Sequence, residues 1–172
     1  MDYGPNNTYK ALRVVGLNYS LYYSVWCTNE HELYDLTVRA HTRKFQFSPL
    51  TWIQTDPGQL NNIYPSSFSE SKYEILGIPL SKVLPRLDAL LMVTKSCKGY
   101  TCVDPWSVIH PPGNVKTLAD ALNKRFDPFY ASVSTTVSFE RCELGYILES
   151  EGPQNAVVFQ GELDDWLDNS EL

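Results

Sequence analysis

Three short stretches near the start of the chain alternate polar and apolar residues between turn signals, and they narrow the fold more than any other feature. Residues 8–17 (Thr-Tyr-Lys-Ala-Leu-Arg-Val-Val-Gly-Leu) carry a β-branched core that ends at Gly16. Asn18 marks a turn, and 19–26 is rich in aromatics and valine. Thr28-Asn29 marks a second turn, after which Glu32-Leu33-Tyr34-Asp35-Leu36 alternates again. The pattern predicts a hairpin extended by a third strand. An antiparallel meander of this kind has one face to cover, so it must pack on something.

Further along the period changes from 2 to 3.6. Leu80, Val83, Leu84, Leu87, Leu90, Leu91 and Thr94 fall at helical spacing, so 81–95 predicts an amphipathic helix. Ser81 would cap it, and Pro85 would sit in its first turns, where a missing N–H costs little. Residues 56–78 read as loop, with Asn61-Asn62, Pro65-Ser66-Ser67 and Ser69-Glu70-Ser71 as punctuation. Residues 96–112 also predict loop, anchored by Trp106. Thr117 and Asp120 predict a short capped helix over 117–126, stopped by Asp127-Pro128. Residues 131–139 predict a strand or an extended segment. The expected class is α+β: a small antiparallel sheet of three to four strands with C-terminal helices.

The chain has 172 residues, enough for one domain or for a piece of a larger one. Its net charge of −6 argues against nucleic acid, whose phosphates need a basic partner. No run approaches the roughly 18 apolar residues of a membrane span. Cys27, Cys97, Cys102 and Cys142 permit three full pairings, which sequence alone cannot choose between. Cys97 and Cys102 could close a small loop around Gly99. A zinc site from Cys97, Cys102, His110 and Cys142 can be drawn, but the C-x4-C spacing is loose and disulfides are the favoured reading. Asn6-Asn7-Thr8 and Asn18-Tyr19-Ser20 make Asn6 and Asn18 candidate glycosylation sites in a secreted chain. Such a body points to the secretory pathway. Met1-Asp2-Tyr3-Gly4 begins no signal peptide, so a missing N-terminal part is expected.

One phrase is interrupted. Residues 26–37 end Glu32-Leu33-Tyr34-Asp35-Leu36-Thr37, and 55–62 read Thr55-Asp56-Pro57-Gly58-Gln59-Leu60-Asn61-Asn62. Joined, they give E-L-Y-D-L-T-T-D-P-G-Q-L-N-N, a strand entering a tight turn. The joined string resembles the C-terminal region of sulfatases. Tyr9-Lys10-Ala11-Leu12-Arg13-Val14-Val15, Tyr22 to Cys27, Lys95 to Gly99, Pro105-Trp106 and Glu149 to Gln154 resemble the fungal arylsulfatases in particular. The resemblance implies that 1–154 form the C-terminal subdomain of an alkaline-phosphatase-like fold, with 155–172 as an acidic tail, solvated or disordered. It also implies a partner, a large catalytic α/β domain absent from this chain.

The intervening 38–54 hold three of the 14 basic residues and none of the 20 acidic ones. They could form a basic loop for an acidic ligand or an edge strand around Lys44 to Phe47. The favoured reading is a translated intron. Val38-Arg39 can encode a 5′ splice site, Leu50-Thr51 a branch point and Gln54 an acceptor, and the length keeps the frame. Such a segment should pack poorly, and a dense interface made by Phe45, Phe47 and Trp52 would contradict it.

By the resemblance, catalysis in the intact family enzyme belongs to a formylglycine made within (C/S)-x-P-x-R, beside a calcium held by aspartates and an asparagine. No cysteine here begins that pattern: Cys102-Val103-Asp104-Pro105 places the proline one residue late. No cofactor or catalytic residue is therefore assigned, and cleavage of a sulfate-ester substrate is expected only of the intact enzyme. His31 lies in the family-like phrase and is read as facing the missing domain. His110 is read as a loop residue bonded to backbone or water. No G-x-S-x-G marks a nucleophile. Hairpin rings could bind carbohydrate, but filling an interface is the preferred reading. The expected function is a C-terminal fragment of an arylsulfatase-like sulfuric ester hydrolase, inactive alone. The alternative is a secreted, disulfide-stapled α+β binding module for carbohydrate.

Overall fold

A computed structural model describes residues 8–41, 51–54, 56–66 and 73–160, with side chains for all of these except 38–41 and 51–54. The meander forms as the alternation requires. Strands β1 (Tyr9–Gly16), β2 (Tyr19–Trp26) and β3 (His31–Asp35) lie in the order β1-β2-β3, antiparallel throughout. The register sets Val14 against Leu21 and Tyr23 against Leu33, so Leu12, Val14, Leu21, Tyr23, Val25 and Leu33 share one face and enter the core. Gly16 is required at the first turn, because a Cβ there would meet the Tyr19 ring at 2.2 Å. At the second turn Asn29 takes φ 62°, a conformation asparagine tolerates. Its side chain donates to the Phe139 carbonyl at 3.0 Å and accepts from the Phe139 N–H at 2.8 Å.

What covers the meander is helix α1 (Leu80–Thr94). Val83, Leu84, Leu87, Leu90, Leu91 and Met92 are all buried, and so are Arg86 and Asp88 on its other faces. A helix buried all round is a central pillar rather than an amphipathic surface element. It starts at Leu80, one residue before the expected cap: Pro79 occupies the N-cap position and no side chain caps the helix. Pro85 lies within the helix rather than at its start.

The chain before α1 contains one short ribbon that the loop reading missed, β6 (Glu74–Ile75) paired with β7 (Ile78–Pro79). Beyond it, 96–112 is not plain loop. It holds two single-turn helices, α2 (Tyr100–Val103) and α3 (Trp106–Ile109), with Trp106 buried as expected of an anchor. The expected helix over 117–126 breaks into α4 (Leu118–Ala121) and a 3-10 turn, Lys124–Phe126. Thr117 and Asp120 make the full capping box of α4. Asp127-Pro128 does not end helical structure but begins α5 (Asp127–Ser132), with Pro128 in the first turn, where its missing N–H is harmless. Residues 133–138 belong to no helix or strand, and Val133 at their start is extended. A lone bridge pairs Phe139 with Glu151.

Segment 38–54 enters and leaves as strands β4 (Val38–His41) and β5 (Thr51–Gln54), paired to each other and to no other strand among the described residues. Val38 opposes Gln54, so the two ends of the segment are neighbours, and the flanking halves of the phrase need not move to accommodate it. Lys44 to Phe47, and the side chain of Trp52, lie outside the described residues. The second half of the phrase docks on the first. Asn62 accepts from the Leu33 N–H at 3.0 Å and donates to the His31 carbonyl at 3.3 Å, while Asp56 accepts from the N–H groups of Leu60 and Asn61 at 3.0 Å each.

At the far end, Ala156 and Phe159 pack on the core, and the Phe159 N–H bonds the Ile109 carbonyl at 2.7 Å. Packed chain therefore continues past residue 154. The acidic residues from Glu162 onward lie outside the described residues. Two disulfides close the frame, Cys27–Cys142 across 115 residues and Cys97–Cys102 across 5.

Candidate functional site

The meander, α1, α5 and the segment after α5 enclose a cleft of about 380 Å³. Tyr23 from β2, His31 from β3, Tyr64, Leu84, Pro85 and Asp88 from α1, Tyr130 and Ala131 from α5, Val133 and Thr136 line it. A pocket of this size with mostly apolar walls and a few convergent polar groups is the usual form of a small-molecule site.

The polar groups form a chain. The Tyr23 hydroxyl donates to Asp88 Oδ1 at 3.1 Å, and the Val137 N–H donates to Oδ2 at 3.1 Å. Tyr23 Oη also lies 2.8 Å from His31 Nδ1. A tyrosine has one proton, and here the Asp88 carboxylate receives it. Tyr23 can then only accept from histidine, which places the ring proton of His31 on Nδ1. Nε2 is left as an acceptor, with no hydrogen-bond partner among the described residues. Tyr64 stacks on the His31 ring with centroids 4.8 Å apart and fixes its plane.

Burial sets the charges. Desolvation pushes the Asp88 carboxyl up to about 6, against the pull of its bonds to Val137 and Tyr23 and of the Lys95 charge. Burial, and then the Asp88 charge, raises Tyr23 far above the ordinary phenol range, so it stays protonated. His31 is lowered by burial and is neutral at pH 7. Among the described residues no lysine or arginine lines the cleft.

The residues singled out from sequence fall elsewhere, except His31. Cys27, Cys97, Cys102 and Cys142 are consumed in the two disulfides, which removes the drawn zinc set. Asn18 is exposed in the β1–β2 turn, and Asn6 lies outside the described residues. His110 stands in the loop after α3, as read from sequence, but solvent does not reach it. It is fully buried, bonded through Nε2 to the Tyr130 hydroxyl at 2.8 Å, and packed on Phe126, Phe129 and Phe159. His31 faces Tyr23, Tyr64 and the cleft of its own chain. Asp88 escaped the sequence reading. The available signal was an acid flanked by Leu87 and Ala89 in the middle of an apolar helix. Among the described residues no three His, Cys, Asp or Glu side chains stand together as metal ligands.

A second recess, of about 390 Å³, is lined by Lys10, Phe139, Tyr146 and Glu151 among others. Its charged groups are already paired, Glu143 with Arg141 at 2.6 Å. Glu151 pairs with Lys10 at 2.9 Å and Lys95 at 3.7 Å, and Lys95 also donates to the Pro153 carbonyl at 2.6 Å.

Comparison with known proteins gives relatives over most of this length. The chain is 39% identical over 153 residues to "Sulfatase ppz1" of Metarhizium majus, a match covering 89% of this chain and 30% of that protein. It is 35% identical over 131 residues to an "Arylsulfatase" of Volvox carteri, covering 75% and 16%. An "Arylsulfatase" of Chlamydomonas reinhardtii matches at 33% over 140 residues, covering 80% and 17%. No family model matches the chain, and no solved structure matches it. The chain thus spans less than a third of the length of the curated relatives it matches. Over that span it belongs to the sulfatases.

Proposed function

We propose that this chain is the C-terminal region of an arylsulfatase-like sulfuric ester hydrolase, acting with an N-terminal catalytic domain outside these residues. One observation carries the reading: relatives named sulfatase or arylsulfatase align with 75 to 89% of the chain but devote only 16 to 30% of their own length to it. Calcium, the formylglycine and the cleavage of the sulfate ester belong on this reading to the larger part. The role of the present residues is to complete the fold, as the C-terminal subdomain of an alkaline-phosphatase-like architecture, and to form one wall of the substrate cleft. The outer edge of the meander supplies a surface for that contact, with Val15 65% and Leu17 98% exposed. Disulfides across 115 and 5 residues suit an oxidising compartment, and Asn18 is accessible to a glycosyltransferase there. Segment 38–54 is an insertion by intron retention, tolerated because its ends are paired.

The full-length transcript tests this directly. An upstream exon encoding (C/S)-x-P-x-R in frame, with Thr37 joined to Thr55, is the expected result. A transcript whose reading frame contains no such motif refutes the hydrolase assignment. One that holds the motif but keeps 38–54 refutes the intron alone.

A further inference from the structure

From the geometry of the His31 cleft we infer that it is a binding site for a neutral aromatic alcohol, held by ring stacking and by one hydroxyl donated to His31 Nε2. The inference does not depend on the hydrolase reading. Three features carry it. First, the cleft is closed on several sides by rings and hydrocarbon, from Tyr64, Tyr130, Leu84, Pro85, Ala131 and Val133. Its volume of about 380 Å³ admits a ligand of one or two fused rings. Second, the hydrogen-bond chain from Asp88 through Tyr23 to His31 leaves an oriented acceptor, Nε2, on a ring stacked by Tyr64 at 4.8 Å. An acceptor that the chain of bonds preorganises discriminates strongly in favour of a ligand with a proton to give. Third, among the described residues the lining contains the Asp88 carboxyl and no lysine or arginine, which disfavours sulfates, phosphates and carboxylates. A sugar would bring several hydroxyls to walls that offer few polar partners, leaving most of them desolvated and unpaired. A flat ring with one hydroxyl matches the inventory.

Titrating the full 172-residue chain with phenol, anisole, phenyl sulfate and methyl glucoside at about pH 7.5, where His31 is neutral, tests the assignment. Calorimetry or ligand-observed NMR should show saturable phenol binding with Kd on the order of 1 mM. Anisole, which keeps the ring and lacks the proton, should bind about fivefold more weakly. The H31F variant should abolish that difference while retaining ring binding. Because H31F could disturb β3, A131W provides a second variant, placing bulk at the exposed lip of the cleft. It should remove phenol binding with no change in unfolding temperature. Absence of saturation by phenol, or equal binding of phenol and anisole, overturns the proposal. Tighter binding of phenyl sulfate overturns the neutral-ligand assignment, and tighter binding of methyl glucoside makes the cleft a sugar site. Phenol binding unaffected by A131W places the ligand elsewhere. None of these outcomes bears on whether an upstream sulfatase motif exists.

Discussion

The molecule contains the same side-chain pair twice, in opposite settings. His31 meets the Tyr23 hydroxyl at 2.8 Å, and His110 meets the Tyr130 hydroxyl at 2.8 Å. Behind Tyr23 stands a carboxylate, and the pair lines an open cleft. Around His110 stand Phe126, Phe129 and Phe159, with Arg86 over the Tyr130 ring at 4.4 Å. Burial, with Arg125 and Arg86 nearby, depresses His110 to about 4, so it behaves as a packed aromatic residue. A histidine–tyrosine bond is thus no mark of function in itself. What lies behind the hydroxyl, and whether solvent reaches the ring, decides between a working acceptor and a filled core. The two regions are also held differently. The cleft end is tethered by Cys27–Cys142 and the Asn29 clamp on Phe139, whereas the His110 cluster rests on close packing.

That contrast can be broken in order of size. Replacing Cys27 and Cys142 by serine opens a 115-residue loop and should cost about 4–5 kcal/mol in urea denaturation. Opening Cys97–Cys102, which spans only 5, should cost about 2 kcal/mol. Equal losses would show that the tether contributes nothing through loop entropy. Next, H110A should lose about 3 kcal/mol by leaving a cavity among rings; a loss below about 1 kcal/mol would mean the cluster collapses freely.

Acid should separate the regions by sign. Asp88 holds its proton more tightly folded than unfolded, so its contribution is full below its ordinary value of 3.8 and is lost as pH rises through about 6. His110 does the reverse. Its contribution is full above the ordinary 6.5 and disappears as pH falls towards about 4. Each amounts to about 3 kcal/mol, and the two oppose across one window. Relative to wild type, D88N should therefore lose stability between pH 6 and pH 4, and H110F should gain it. Parallel pH curves for all three proteins would remove the assignment of either group. A smaller effect belongs to Y23F, which strips Asp88 and His31 of a shared partner and should cost about 1–3 kcal/mol. H31F should be smallest, within about 1 kcal/mol, since His31 is only partly buried and its Nε2 bonds nothing in the described chain.

Much of the scaffold was legible because it rests on local periodicity. The alternation of 9–16, 19–26 and 31–35 gave the meander, and the 3.6 spacing from Leu80 to Thr94 gave the pillar. Misreadings gathered where one residue type serves two roles. Pro128 predicts a helix stop from its neighbours alone, but proline is equally at home in a first turn, and α5 starts there. Asp88 is invisible to a single-face pattern, because burial of a helix on every side leaves no trace in it. The loop residue His110 carries no local sign that Phe126, Phe129 and Phe159, distant in sequence, would surround and bury it.

By itself the sequence determined the α+β class, the strand and helix periods, the capping box at Thr117 and the phrase that marks sulfatase kinship, because each is written in neighbouring residues. Tertiary structure alone decided which cysteines meet, which histidine is sealed and which is open, and that Asp88, Tyr23 and His31 form one chain of bonds. Those outcomes depend on contacts across 65 and 115 positions and on local dielectric, which exist only once the chain has packed.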